Sequence, residues 1–352
     1  MTSSLVRGLF EGPIDIVGDI HGEADALRRL LHTLGYNAHG EHPRGRRLVF
    51  LGDLCDRGPD SPAVIELVRG LVERDLAQCI LGNHELNLLR RDAKHGNRWY
   101  LDPAHPEQRG EFQHSRPAAA ERVPGWHDFF LSLPLALERD DLRVAHAAWH
   151  GPSIDAARAS THASALEMFE HSERALLDEL HQGGLSNAAA AEERDYAEAL
   201  VTETADVPVL ESLARKDEWS QMNNPVRVIT SGAERATRLP FWANGKWRMC
   251  DRVRWWDEYP DPTPVIVGHY WRIAADLRGS DVSGGKPDLF EGTRHNEWLG
   301  PAHNVFCVDF SVGGRYRERA RGAGVFETRL AAVRWPEQEL AFDDAPTVSM
   351  IR

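Results

Sequence analysis

Short apolar runs alternate with helical periodicity through the first part of the chain. Ile14-Asp15-Ile16-Val17 reads as a strand. From Glu23 to Leu34 apolar residues recur at helical spacing (Ala26, Leu27, Leu30, Leu31, Leu34), and Gly35 ends the helix. Arg47 to Leu51 predicts a second strand. Ser61-Pro62 predicts an N-cap followed by proline at the first helical position, for a helix over Ala63 to Glu73. Ala77 to Leu81 is a third strand, and Leu86 to Arg91 begins the next helix. Strands that alternate with helices predict right-handed crossovers and a largely parallel core. In such a sheet the strands end at a common edge, so residues far apart in sequence meet just beyond it.

Periodicity then fades. Asp92 to Val123 is polar, holds His95, His105 and His114, and reads as a long loop or lid. Trp126 to Leu133 predicts a helix and Leu142 to His146 a fourth strand. Residues from Ser153 to about Lys216 are rich in Ala, Glu and Leu without a strand signal, which predicts an all-helical insertion at about 153–216. Strand signals return at Val226 to Thr230, Pro264 to Val267, Asn304 to Phe310 and Arg329 to Trp335, with a Gly, Ser and Pro-containing surface loop at Gly279 to Gly292. No repeat of fixed period is present, and one domain over 1–352 with a lid and an insertion accounts for the length.

The charge narrows the partners. Lys and Arg number 41 against 54 Asp and Glu, a net charge of -13. An extended nucleic-acid groove is disfavoured, because affinity for a polyanion rests on clustered basic residues. Small phosphorylated ligands stay open, since local cations outweigh a distant field. The first twelve residues lack a basic flank followed by an apolar core, and no run approaches the roughly 18 apolar residues of a membrane span. The expectation is a cytoplasmic protein without a membrane partner. Cys55, Cys79, Cys250 and Cys307 lie far apart with no CxxC pair, which argues against a disulfide framework or a zinc ribbon.

Five segments that follow or end apolar runs carry the candidate chemistry: Gly18-Asp19-Ile20-His21-Gly22, Gly52-Asp53-Leu54-Cys55-Asp56-Arg57-Gly58, Gly82-Asn83-His84-Glu85, His146 and Gly268-His269. Asp19 and His21 are spaced to reach one ion. The carboxylate of Asp53 has two oxygens, enough to bridge two cations. Asn83 offers a carbonyl oxygen, and His146 and His269 offer imidazole nitrogens. Mixed carboxylate, imidazole and amide donors suit Mn²⁺, Fe or Zn²⁺ better than Ca²⁺. Taken singly, each segment reads equally well as a helix cap or a satisfied loop histidine. Their number and shared position after strands set them apart.

As a set, the segments resemble the calcineurin-like metallophosphoesterase superfamily, specifically its phosphoprotein phosphatase branch, with the pattern GDxHG, GDxxDRG, GNHE, a later His after a strand, and a late GH. The resemblance covers roughly Ile14 to His146 and Val265 to Trp335. It implies an α/β fold with a layered β-sandwich core flanked by helices. It also implies two divalent metal ions, with Mn²⁺ foremost, held by Asp19, His21, Asp53, Asn83, His146 and His269, and Asp53 bridging. Arg57 would hold the phosphate, and His84 would be the general acid, oriented by Asp56. The chemistry is consistent: two cations acidify a shared water and polarise the phosphoryl oxygens, and an arginine fork matches phosphate oxygens.

Some residues fit less directly. His150 follows His146 by four positions, but Leu142 to Ala147 reads as strand and Gly151-Pro152 follows, so His146 takes the ligand role and His150 is a substrate-pocket candidate. Arg272 is a candidate second phosphate-binding arginine, with a salt bridge as the competing reading. Asp309 with Gly313-Gly314 matches the stretch after the final ligand in bacterial relatives. Trp242, Trp247, Trp255, Trp256 and Trp271 either stack a nucleobase or fill the core. The expected activity is hydrolysis of phosphomonoesters, with phosphoserine or phosphothreonine proteins and small aryl phosphates as substrates. The alternatives are a dinucleoside polyphosphate hydrolase and a non-catalytic phosphate-binding regulatory module.

Overall fold

A computed structural model describes residues 4–243, 245–273 and 288–352. Most of the loop expected at Gly279 to Gly292 lies outside the described residues. In chain order the elements are β1 (Val6–Gly8), β2 (Ile14–Val17), α1 (Ala24–Leu34), β3 (Arg47–Phe50), α2 (Ser61–Glu73), β4 (Ala77–Cys79), α3 (Asn83–Leu89), α4 (Arg98–Leu101), α5 (Val123–Ser132), β5 (Ala136–Arg139) and β6 (Leu142–Ala145). The chain continues with α6 (Gly151–Ala159), α7 (Ala165–Gln182), α8 (Leu185–Asp195), α9 (Ala197–Leu200), α10 (Glu211–Met222), α11 (Pro225–Ser231), β7 (Glu234–Ala243) and β8 (Lys246–Arg252). It closes with β9 (Val265–Val267), β10 (Val305–Cys307), α12 (Arg315–Ala320), β11 (Ala331–Trp335), β12 (Glu339–Phe342) and β13 (Val348–Ser349).

Two mixed sheets form the centre, ordered β1-β5-β6-β9-β10 and β13-β12-β11-β2-β3-β4. Ile14 and Ile16 of β2, Val49 of β3 and Val333 of β11 form one apolar cluster with Leu137, Val144, Ile266 and Phe306 of the other sheet. That cluster is the interior of a sandwich. On the opposite faces Val17, Leu48 and Phe50 join Leu27 and Leu30 of α1 and Val64 and Val68 of α2. The alternation along β2 and β3 therefore divides between two apolar layers rather than between core and water, which is why both strands read as nearly continuous apolar runs.

The largely parallel sheet is corrected. β2, β3 and β4 are parallel, as are β6, β9 and β10, but β11 pairs antiparallel with β2, β12 antiparallel with β11, and β5 antiparallel with β6. The strand expected at Val226 to Thr230 is instead α11. The Asn224 side chain accepts from the Val226 and Arg227 amides and Pro225 occupies the first turn, so cap and proline outweigh the β preference of Val and Ile. Val226, Val228, Ile229 and Thr230 are all buried, leaving no amphipathic period to mark a helix. The cap of α2 is Asp60, one residue before the expected Ser61, and accepts from Ala63 N.

Helices run from Gly151 to Ser231, beyond the expected insertion at both ends, and lead into the β7–β8 hairpin. Val207, Leu210, Leu213, Ala214 and Met249 give this region its own apolar cluster. Residues 92–123 are a wall as much as a lid. Trp99 and Phe112 are buried, Ser115 Oγ donates to Gly58 O at 3.0 Å, and Arg116 N donates to Pro59 O at 2.8 Å.

Candidate metal centre and active site

The strand-end segments meet at one edge because the glycines leave room. A Cβ on Gly18 would lie 2.5 Å from Val308 O, one on Gly82 2.3 Å from Asp53 Oδ1, and one on Gly268 2.1 Å from Asp19 Oδ1. The backbone turns sharply at three candidate ligands, with φ of 47° at His21, 46° at Asp53 and 71° at His269. Non-glycine residues rarely adopt this left-handed region, and such strain collects at functional sites.

Asp53 lies at the middle. Its Oδ2 is 3.7 Å from His21 Nε2, 3.9 Å from His84 Nε2 and 3.4 Å from His146 Nε2. Asp19 Oδ2 lies 3.9 Å from His21 Nε2. Asn83 Oδ1 lies 3.2 Å from His146 Nε2 and 2.9 Å from His269 Nδ1. Two groups of donors result, His21-Asp53-His84 and Asp53-His146-His269, each with ligand atoms within 4.8 Å of one another and Asp53 common to both. The aspartates and histidines of this set are buried, and Asn83 is half-buried.

This geometry fits bound cations. His146 Nδ1 donates to Leu51 O at 2.7 Å and His21 Nδ1 to Cys55 O at 3.0 Å, which fixes each ring and leaves Nε2 as a lone pair aimed inward. For His146 that lone pair faces the oxygens of Asn83 and Asp53. Acceptors gathered this closely, away from water, need positive charge between them. Protonation behaviour agrees. Burial alone would lower the pKa of His146, yet Asp53 and Asp19 carry it up to about 10. Burial and the neighbouring Asp309 raise Asp19 well above the usual carboxylate range, whereas Asp53, despite burial, is held well below it by His146, His84 and His21. His269 Nε2 is buried without a hydrogen-bond partner among the described residues.

Beside this centre, His84 Nδ1 and Asp56 Oδ2 are 2.5 Å apart, and Asp56 Oδ1 accepts from Trp99 Nε1 at 2.6 Å. Asp56 thus fixes the His84 ring, with Nε2 turned towards Asp53. Arg57 reaches over both histidines, Nη1 lying 2.9 Å from His21 Nε2 and Nη2 3.1 Å from His84 Nε2. A Cβ on Gly313 would crowd Arg57 Nη1 and the His21 ring.

Arg272 does not join this group. It is buried and donates to the carbonyls of Cys307, Arg294 and Glu297. Its fork is occupied by backbone, so neither the phosphate-binding nor the salt-bridge reading describes its contacts. His150 stands before α6 with Nδ1 2.8 Å from Ser153 Oγ and lines a cavity of about 1160 Å³ that Trp149, Arg252, Trp255 and Tyr259 also line. The tryptophans fall in three places. Trp242 and Trp247 pair on the β7–β8 hairpin, Trp255 and Trp256 are buried together, and Trp271 lies under Arg57, whose guanidinium carbon is 4.7 Å from the ring centre. Cys55 packs with its Sγ 3.3 Å from Glu85 Oε1.

Sequence reasoning assigned no role to Glu85 or Trp99, and placed Asp309 only by its resemblance to the stretch after the final ligand. Glu85, wholly buried, accepts from Asp53 N at 2.9 Å, Leu54 N at 2.8 Å and Gly82 N at 3.1 Å. It ties the Asp53 loop to the start of α3, though its place in the motif suggests only a cap. Asp309 accepts from Trp271 N and Ser311 N, each at 2.8 Å, and so holds the loop after His269. Trp99 comes from the segment read as a lid. Glu85→Gln replaces one acceptor oxygen by a donor against these amides. We expect metal affinity to fall about 10–100-fold, the usual cost of losing such a support, as measured by competition with a chromophoric chelator. Unchanged affinity would show that the Asp53 loop holds itself.

Residues 12–182 match the calcineurin-like phosphoesterase family. The chain is similar to the bis(5'-nucleosyl)-tetraphosphatase PrpE [asymmetrical] of Oceanobacillus iheyensis, 50% identical over 80 residues, 22% of this chain and 32% of that one. It is also similar to the protein of the same name from Halalkalibacterium halodurans, 36% identical over 145 residues, 38% of this chain and 56% of that one. The aligned part thus spans less than two thirds of either relative. Among solved structures, a cold-active protein-tyrosine phosphatase of a psychrophilic Shewanella species aligns with 98% of this chain and 82% of its own at 15% identity and a TM-score of 0.47. The family match falls on the segments that supply Asp19, His21, Asp53, Asn83 and His146, and residues 12–182 carry a calcineurin-like metallophosphoesterase domain.

Proposed function

We propose that this chain is a two-metal phosphohydrolase whose centre is bridged by Asp53. The observation that carries the reading is one carboxylate shared by two groups of donors, with the Arg57 fork and the His84–Asp56 pair against it. Asp19 and His21 with Asp53 would hold one cation, and Asn83, His146 and His269 with Asp53 the other. Bound there, two cations polarise a phosphoryl group and activate water for in-line attack. The chain's own residues supply the rest. Arg57, whose two η nitrogens face the His21 and His84 rings, would turn them to the phosphate as parallel donors. His84, its ring fixed through Nδ1, offers Nε2 to the leaving oxygen. The mixed donor set favours Mn²⁺, Fe or Zn²⁺.

The names of the relatives favour phosphoanhydrides of dinucleoside polyphosphates as substrates. Hydrolysis of phosphoserine or phosphothreonine in proteins rests on the motif pattern alone. Rates on diadenosine tetraphosphate, a phosphoserine peptide, an aryl monoester and an aryl diester, before and after chelation and with Mn²⁺ restored, test the reading. We expect chelation to abolish activity, Mn²⁺ to restore it, and the tetraphosphate to be the best substrate. Full activity after complete metal removal would overturn the proposal, and a preference for phosphopeptide would overturn the nucleotide reading.

A further inference from the structure

We infer that Arg317 holds the phosphate next along the chain from the one at Arg57, so that the site is built for a polyphosphate ester rather than for a lone monoester. This rests on the phosphohydrolase reading above and names its substrate class. The two arginines share one aromatic platform. The Trp271 ring centre lies 4.7 Å from the Arg57 guanidinium carbon and 6.0 Å from that of Arg317. Trp271 is fixed there by Asp309, which accepts its backbone amide.

α12 carries three arginines with different fates. Arg315 is buried and pairs with Asp343, and Arg319 pairs with Glu23. These two anchor the helix. Arg317, between them, is exposed, and among the described residues its guanidinium meets no carboxylate and bonds only the Tyr316 hydroxyl, at 2.8 Å. An arginine on an anchored helix, with donors to spare and the Trp271 ring in common with the phosphate-orienting arginine, suits a second phosphate group. A monoester has nothing to place there. A tri- or tetraphosphate chain does, and indole contact with both guanidinium groups helps hold the two forks in place.

The test uses the full-length, metal-loaded protein and direct binding rather than turnover. Inorganic tripolyphosphate and orthophosphate are titrated by calorimetry into wild type, Arg317→Ala and Arg317→Lys. We expect wild type to bind tripolyphosphate more tightly than orthophosphate. Arg317→Ala should weaken tripolyphosphate about tenfold and orthophosphate less than twofold, as loss of one charge-assisted contact requires, and Arg317→Lys should fall between. Equal losses for both anions, no loss for either, or wild-type binding of tripolyphosphate no tighter than orthophosphate would each overturn the inference while leaving the phosphohydrolase reading in place. Wild type that binds neither anion would overturn both.

Discussion

Replacing His84 by alanine is expected to slow hydrolysis of an alkyl phosphate such as phosphoserine by about 10²–10⁴-fold, the range over which a positioned general acid contributes. The expectation follows from the 2.5 Å contact between His84 Nδ1 and Asp56 Oδ2, which leaves Nε2 facing the centre beside Asp53. A proton donor matters in proportion to how poor the leaving group is. An aryl phosphate should therefore lose much less, and the ratio of the two losses measured on one preparation is the decisive quantity. Equal losses with unchanged metal content would mean that His84 positions the phosphate or the water instead. Loss of metal would make His84 a ligand, as its place in the His21-Asp53-His84 group allows.

The second large effect belongs to Asp53. Asp53→Asn keeps the shape but removes the charge shared by both groups of donors, and we expect the protein to retain fewer than two ions and to lose activity on every phosphate substrate. The loss should exceed the about 10–100-fold cost of an outer support such as Glu85, because a bridging carboxylate serves both ions at once. Elemental analysis and rates on one batch check both parts. Two tightly bound ions with full activity would remove Asp53 from the bridging position.

Much of this centre was legible in the sequence. Asp19, Asp53, Asn83, His146 and His269 each follow a run whose apolar character marks a strand end, and the sheets carry those ends to one edge. What stayed hidden has physical causes. Glu85 works through backbone amides, and a carboxylate early in a helix reads as an ordinary capping residue. Trp99 comes from a polar stretch whose lack of periodicity suggests a loop, although its indole holds Asp56. The α11 helix was obscured because its buried residues, Val226, Val228, Ile229 and Thr230, follow no helical period. The β7–β8 hairpin escaped notice because its residues are mostly half-buried and show no clean alternation. The antiparallel half of the second sheet depends on β11 and β12, more than 300 residues from β2, a pairing that no local pattern encodes.

The most direct measurement is the metal count of the purified chain, taken together with the distance between the ions from anomalous scattering in a crystal. The account predicts two divalent ions per chain, roughly 3.5–4 Å apart as in other two-metal sites, with Asp53 between them, Asp19 and His21 on one side, and Asn83, His146 and His269 on the other. A single ion at full activity, or two ions that do not share Asp53, would contradict it.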